Sequence, residues 1–146
     1  FVELGDQSGT ILEVGVTYTK LQTPDNKIVS IPNSTAASAQ ITNFSAAGTR
    51  RVDLTVSASY DSPVELVKAA LLRAANTPTS LFTPEPFVGV KEYGDSAITY
   101  VLQVWSGASD YWATYFAVNE AIHQEFARDG IEMTYPHLNV HLDRNP

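Results

Sequence analysis

From Arg51 onward the chain changes its hydrophobic period in a fixed order, and few folds accept that order. Val52, Leu54, Val56 and Ala58 alternate with Asp53, Thr55, Ser57 and Ser59. A period of two places one side of a strand on a core and the other in water. After Asp61-Ser62-Pro63-Val64-Glu65 the period lengthens, and Val64, Val67, Leu71 and Ala74 recur at helical spacing until Pro78. Ser62 is expected as N-cap, Pro63 as first helical residue and Glu65 as the far side of a capping box. Phe87 to Lys91 reads as a strand, and Gly94-Asp95 as a turn. Ile98, Tyr100, Leu102 and Val104 alternate in the next strand. A second helix starts near Asp110, with Tyr115, Val118, Ile122 and Phe126 inward. Gly130 suits the left-handed position after it, with Ile131 folding back on Phe126. Leu138, Val140 and Leu142 alternate in a last strand. The order β-α-β-β-α-β is that of the ferredoxin-like arrangement, one antiparallel sheet with both helices on one face.

The first third reads as β throughout. Thr10 to Val16 is rich in branched residues, with Gly9 and Gly15 where bends or bulges fit. Tyr18 to Thr23 and Lys27 to Ile31 flank Pro24-Asp25-Asn26, so Tyr18–Ile31 reads as a hairpin with a tight turn. Ala36, Ala37, Ser38 and Ala39 form a bland, uncharged stretch, and Gln40 to Phe44 is one more short strand. About 45 residues bury too little to stand alone, and an open sheet leaves edges that invite pairing. Residues 1–47 and 48–146 are therefore taken as two domains, with the first needing cover from the second or from another copy.

Charge and composition exclude several functions. The net charge is −7, and residues 48–146 hold twelve acids and seven bases. No basic cluster exceeds Arg50-Arg51, so the footprint of a nucleic-acid binder is missing. There is no cysteine, which excludes disulfides and Cys-based zinc sites. No apolar run approaches the roughly 20 residues of a spanning helix. His123 sits on a polar helix face, and His137 and His141 have no helical spacing. No catalytic or phosphate-binding motif occurs. Asp110-Tyr111-Trp112 reads as a helix start, with Trp105 and Trp112 packing around it. The expectation is no enzyme and no cofactor.

What remains is an ordered series: Gly9-Thr10-Ile11-Leu12-Glu13-Val14, Thr23-Pro24-Asp25-Asn26, Ile31-Pro32-Asn33-Ser34, Asn43-Phe44-Ser45, Arg50-Arg51, Tyr60-Asp61-Ser62, Val104-Trp105, Phe126, Asp129-Gly130-Ile131 and Tyr135-Pro136. In this order it resembles the cytoplasmic part of the small-conductance mechanosensitive channel family. The resemblance implies an α+β chain, a small Sm-like β-barrel domain followed by the ferredoxin-like domain. It implies a homoheptameric ring beneath a pore, in which β-domains of neighbouring subunits pair edge to edge. Ile28, Ile31, Pro32, Asn33, Ile41, Asn43 and Phe44 are the residues it would place at that interface.

The implied function is release of ions and small solutes under membrane tension in hypo-osmotic shock. The full-length protein would lie in a bacterial inner membrane, anchored by helices preceding Phe1, with this segment on the cytoplasmic side. The chain opens on Phe1 inside a strand-like run and is read as a piece of something longer. Alone, the segment is expected to be monomeric or weakly associated. The family's axial-barrel strand would follow Pro146, and Gln22 stands where many members carry Arg, so an ion pair there is not expected. A ligand- or RNA-binding module is the alternative, but the open sheet face shows Asp53, Thr55, Ser57, Thr99, Gln103 and His141, with Trp105 as its only large ring, where RNA stacking would need several aromatic residues.

Overall fold

The computed structural model describes residues 1–136, 138 and 140. The chain divides into two units, Phe1–Arg50 and Arg51–Pro146.

In the first unit β1 (Val2–Leu4), β2 (Gln7–Val14), β3 (Tyr18–Gln22), β4 (Ile28–Pro32) and β5 (Ile41–Asn43) form one sheet. The strand order is β4-β3-β2-β1-β5, so β4 and β5 are its edges. The expected hairpin is present, with Tyr18 opposite Pro32 and Gln22 opposite Ile28. Its turn is built as the sequence dictates. The Asn26 amide donates to the Thr23 carbonyl at 2.9 Å, and Asn26 takes a positive φ of 68°. A type I turn followed by one left-handed residue is a favoured hairpin closure.

Lys27 Nζ lies 2.7 Å from Asp25 Oδ2. That contact, with the Thr23 hydroxyl donating to Asp25, holds the Asp25 carboxyl below the usual carboxylate range. A depressed carboxylate pKa favours the folded turn above the unfolded pKa, and the gain fades as pH falls through the folded pKa. In Lys27→Gln, the NMR titration midpoint of Asp25 is expected to rise toward the ordinary carboxylate range. An unchanged midpoint would show that Lys27 is not the cause.

Val2, Leu4, Leu21 and Ile31 make the buried core of this unit, with Val29 and Ala36 against it. The bland, uncharged stretch after Pro32 is helical at its start. It opens with a six-residue helix α1 (Asn33–Ser38), whose Ala36 packs on that core. Small side chains cost little rotamer freedom in a helix, and Pro32 suits its entry.

The second unit holds β6 (Thr49–Ala58), α2 (Val64–Ala74), β7 (Ser80–Leu81), β8 (Phe87–Tyr93), β9 (Ile98–Gly107) and α3 (Tyr111–Asp129). β9 runs between β6 and the β7 and β8 strands, which occupy successive stretches of its other side. β7 was not foreseen. Val52, Leu54 and Ala58 of β6 share one core with Ile98, Tyr100, Leu102 and Val104 of β9, and both helices contribute to it. Both helices therefore cover the same sheet face.

The N-terminus of α2 departs from expectation. Pro63 is the cap residue, and no side chain caps the helix. The Ser62 amide is instead drawn into a turn, donating to the Ser59 carbonyl at 3.3 Å. The C-terminus of α3 follows expectation: Gly130 has φ 67°, and the Ile131 amide donates to the Phe126 carbonyl at 2.8 Å. Leu138 and Val140 are exposed and lie in no strand, and the rest of the expected last strand, with His137 and His141, lies outside the described residues.

Candidate subunit interface

The seven residues expected at an interface fall on the two edges of the five-stranded sheet. Ile28, Ile31 and Pro32 lie on β4, with Asn33 just after it; Ile41 and Asn43 lie on β5, with Phe44 just after it. An edge strand presents alternate N–H and C=O groups outward, a template for another chain.

Their side chains divide into two kinds. Ile28 and Ile41 are more than half exposed, and Pro32 is exposed. The other four work within the unit. Ile31 is buried in the core, so its outward contribution is backbone. The Phe44 ring lies 5.9 Å from that of Phe1, and the Arg50 guanidinium stands 4.5 Å from its centre. Asn43 Oδ1 accepts from the amides of Ser45 and Ala46, a turn that ends β5.

Asn33 is a latch. Its amide nitrogen donates to the carbonyls of Gly15 at 2.8 Å and Val16 at 3.1 Å, and its Oδ1 accepts from the Thr19 hydroxyl at 2.7 Å. Its backbone amide donates to Thr17. One side chain thus ties the β2–β3 turn to the start of α1. Asn33→Asp replaces a donor with an acceptor facing two carbonyls. It is expected to cost about 2 kcal/mol or more, read as a lower urea midpoint at unchanged m-value. An unshifted midpoint would refute the latch.

The sheet also leaves uncovered the expected Ile41 and two apolar side chains, Ile11 and Val14, that the sequence pattern did not single out. Ile11 lies opposite buried Leu21, Val14 opposite buried Thr19 and Ile41 opposite buried Leu4. Residues directly opposite share a face. Yet Ile11, Val14 and Ile41 are 43%, 71% and 56% exposed, so the core side of this sheet is incompletely covered within one copy. The register of β2 shifts between Ile11 and Glu13, and a bulge defeats the period-two rule that would have found them.

Among the described residues, no three His, Asp or Glu side chains are placed to hold a metal ion. His123 is exposed on α3. Asp61, Asp95 and Glu132 line one polar concavity of the second unit. Among the described residues, no helix is long and apolar enough to cross a membrane.

Two family models match in chain order. The mechanosensitive ion channel β-domain covers residues 1–46, and the C-terminal domain of the mechanosensitive ion channel MscS covers residues 52–133. The chain belongs to the MscS family of mechanosensitive channels.

Among its MscS-family relatives is a small-conductance mechanosensitive channel of Edwardsiella ictaluri, 32% identical over 142 residues, which are 97% of this chain and 50% of that protein. Another is the small-conductance mechanosensitive channel MscMJ of Methanocaldococcus jannaschii, 30% identical over 99% of this chain and 43% of that protein. The chain thus spans about half the length of the curated relatives it matches. The closed-state MscS of Helicobacter pylori superposes with a TM-score of 0.85 at 20% identity, covering 94% of this chain and 55% of that one. Arabidopsis thaliana MSL1 superposes at 0.74 and 19%, covering 92% and 51%. These likenesses agree with the α+β class read from the sequence, and the two sheets are compatible with its Sm-like and ferredoxin-like parts. The MscS family is one of membrane channels and is not an enzyme class.

Proposed function

We propose that this chain is the vestibule and assembly region of a tension-gated channel, which releases ions and small solutes in hypo-osmotic shock. The carrying observation is that each unit matches its own MscS-family domain, in order and over nearly its full length. The segment itself performs no catalysis, binds no nucleic acid and senses no tension. It holds subunits in register on the cytoplasmic side of a cell membrane, a bacterial inner membrane in our reading. The domain boundary is set after Ala47.

The two sheet edges support a ring. β4 and β5 are unlike surfaces on opposite ends of one sheet, and a contact between unlike patches closes into a cycle when the rotation allows. A homoheptamer is the proposed closure, with Ile28, Ile31, Pro32 and Asn33 of one copy meeting Ile41, Asn43 and Phe44 of the next.

The test is survival. The full-length protein, expressed in a bacterium lacking its own osmotic-release channels, is expected to rescue viability after a sudden osmotic downshift. Abundant membrane expression without rescue would contradict the proposal.

The acid excess of residues 48–146 sets a further expectation. A vestibule lined by one sign enriches counter-ions within about a Debye length, roughly 8 Å at physiological salt. The open channel is expected to favour cations. Reversal potentials in asymmetric salt that show anion preference, unchanged when vestibule acids are neutralised, would refute this.

A further inference from the structure

Two apolar windows on the second unit remain unexplained by β4 and β5. The first lies on the sheet face away from the helices. Buried Tyr100, Leu102 and Val104 point to the core, so Val101 and Trp105, both half-buried, point outward, and half-buried Leu81 lies opposite Trp105. Phe87, 55% exposed, shares this face, and its ring lies back over Gly89 where a Cβ would stand 3.0 Å from it. The second window lies on α3. Thr114, Val118, Ile122 and Phe126 face inward, and Trp112 and Phe116 emerge about half a turn away. Those two rings stack at 6.0 Å, yet they are 61% and 59% exposed. Trp112 does not pack as the sequence suggested; only Tyr111 and Tyr115 behind it touch the core.

We infer that in the ring the Trp112–Phe116 face of one copy docks on the Phe87–Trp105 sheet face of the next. This rests on the ring reading and adds a contact separate from the β4 and β5 edges. The windows lie on opposite layers of one two-layer unit, so a copy cannot bring its own two together, whereas a neighbour can. Unlike patches on opposite sides are what a cyclic assembly requires. Charge selects the occupant. Residues 48–146 are net acidic, so two copies repel over most of that surface. Tyr111 to Asn119 contains no ionisable acid, Lys, Arg or His, and neither do the four residues of the sheet window. A basic partner would seek the acids; a second acidic copy finds its unopposed approach at these two windows. Exposed aromatic rings are also the residues most able to anchor such a contact.

The 146 residues contain no cysteine, so thiols can be placed freely. In a full-length background without other thiols, Trp112→Cys and Phe87→Cys are combined and treated with a flexible bifunctional thiol reagent. The double variant is expected to give a ladder of covalent multimers on a denaturing gel, and each single variant only monomer. A single variant that cross-links to itself would indicate like-with-like contact and overturn the inference. A double variant that stays monomeric, while untreated protein sediments as a ring, would overturn it and leave the ring reading intact. Untreated protein that sediments as a monomer would overturn both.

Discussion

Gly9→Val is expected to unfold the first unit. A Cβ at Gly9 would stand 2.5 Å from the Gln22 carbonyl oxygen and 2.9 Å from its carbon. Both are backbone atoms of the neighbouring strand, so no side chain can swing aside. β2 must leave β3, or β3 must bend away from β4. Overpacking against side chains costs about 1–3 kcal/mol, and backbone yields less, so about 3 kcal/mol or more is expected. A unit with four buried apolar side chains in its core has little reserve against that loss. The expected readout is loss of β-sheet circular dichroism and of assembly. Gly48→Ala serves as a comparison. Gly48 has φ 77° with open space around it, so the change costs only the left-handed strain, roughly 1–2 kcal/mol. If Gly9→Val melts like the parent, the close β2–β3 approach is wrong.

Phe126→Ala is expected to be the most damaging change in the second unit. Phe126 is 2% exposed, packs in the shared core and has its carbonyl tied to the Ile131 amide. Its loss removes the inner stripe of α3 at the point where Ile131 folds back. Burial at such a site gives about 3–5 kcal/mol for Phe→Ala, which is a fall in Tm on the order of 10 °C. Calorimetry decides it. A change of only a degree or two would mean that α3 does not depend on this contact. Near it, Arg73 donates to Glu125 at 2.8 Å and also to Asp129, joining α2 to the same end of α3.

The second unit was the more legible because its core obeys simple periods. β9 alternates buried and half-buried without a break from Ile98 to Gly107, and α3 keeps its stripe from Thr114 to Phe126. There the sequence misplaced ends and short pieces, and Leu138 and Val140 of its expected last strand lie in no strand. Pro63 rather than Ser62 caps α2, and the two-residue β7 is too short to leave a period. The first unit was legible where turn chemistry dominates, at Pro24-Asp25-Asn26, and obscure where it does not. A bulge near Leu12 hid the apolar side of β2, and α1 formed from residues with no helical stripe.

The residues proposed for the interface show the same limit. Strand edges follow from pairing order, which no local pattern encodes. Asn33, Asn43 and Phe44 belong to a recognisable motif, but the hydrogen bonds and ring contacts that occupy their side chains run to residues of their own unit. Trp112 is a comparable case. An aromatic residue in a sequence looks like core, and only the direction of the neighbouring stripe shows that it points away.

The central claim is that these two units belong beneath a pore that tension opens. Patch-clamp of the purified full-length protein in liposomes tests it most directly. Stepwise suction is expected to open discrete conductances, with open probability rising with membrane tension and no added ligand required. Reconstituted protein that stays silent up to the tension at which the bilayer ruptures would contradict the account.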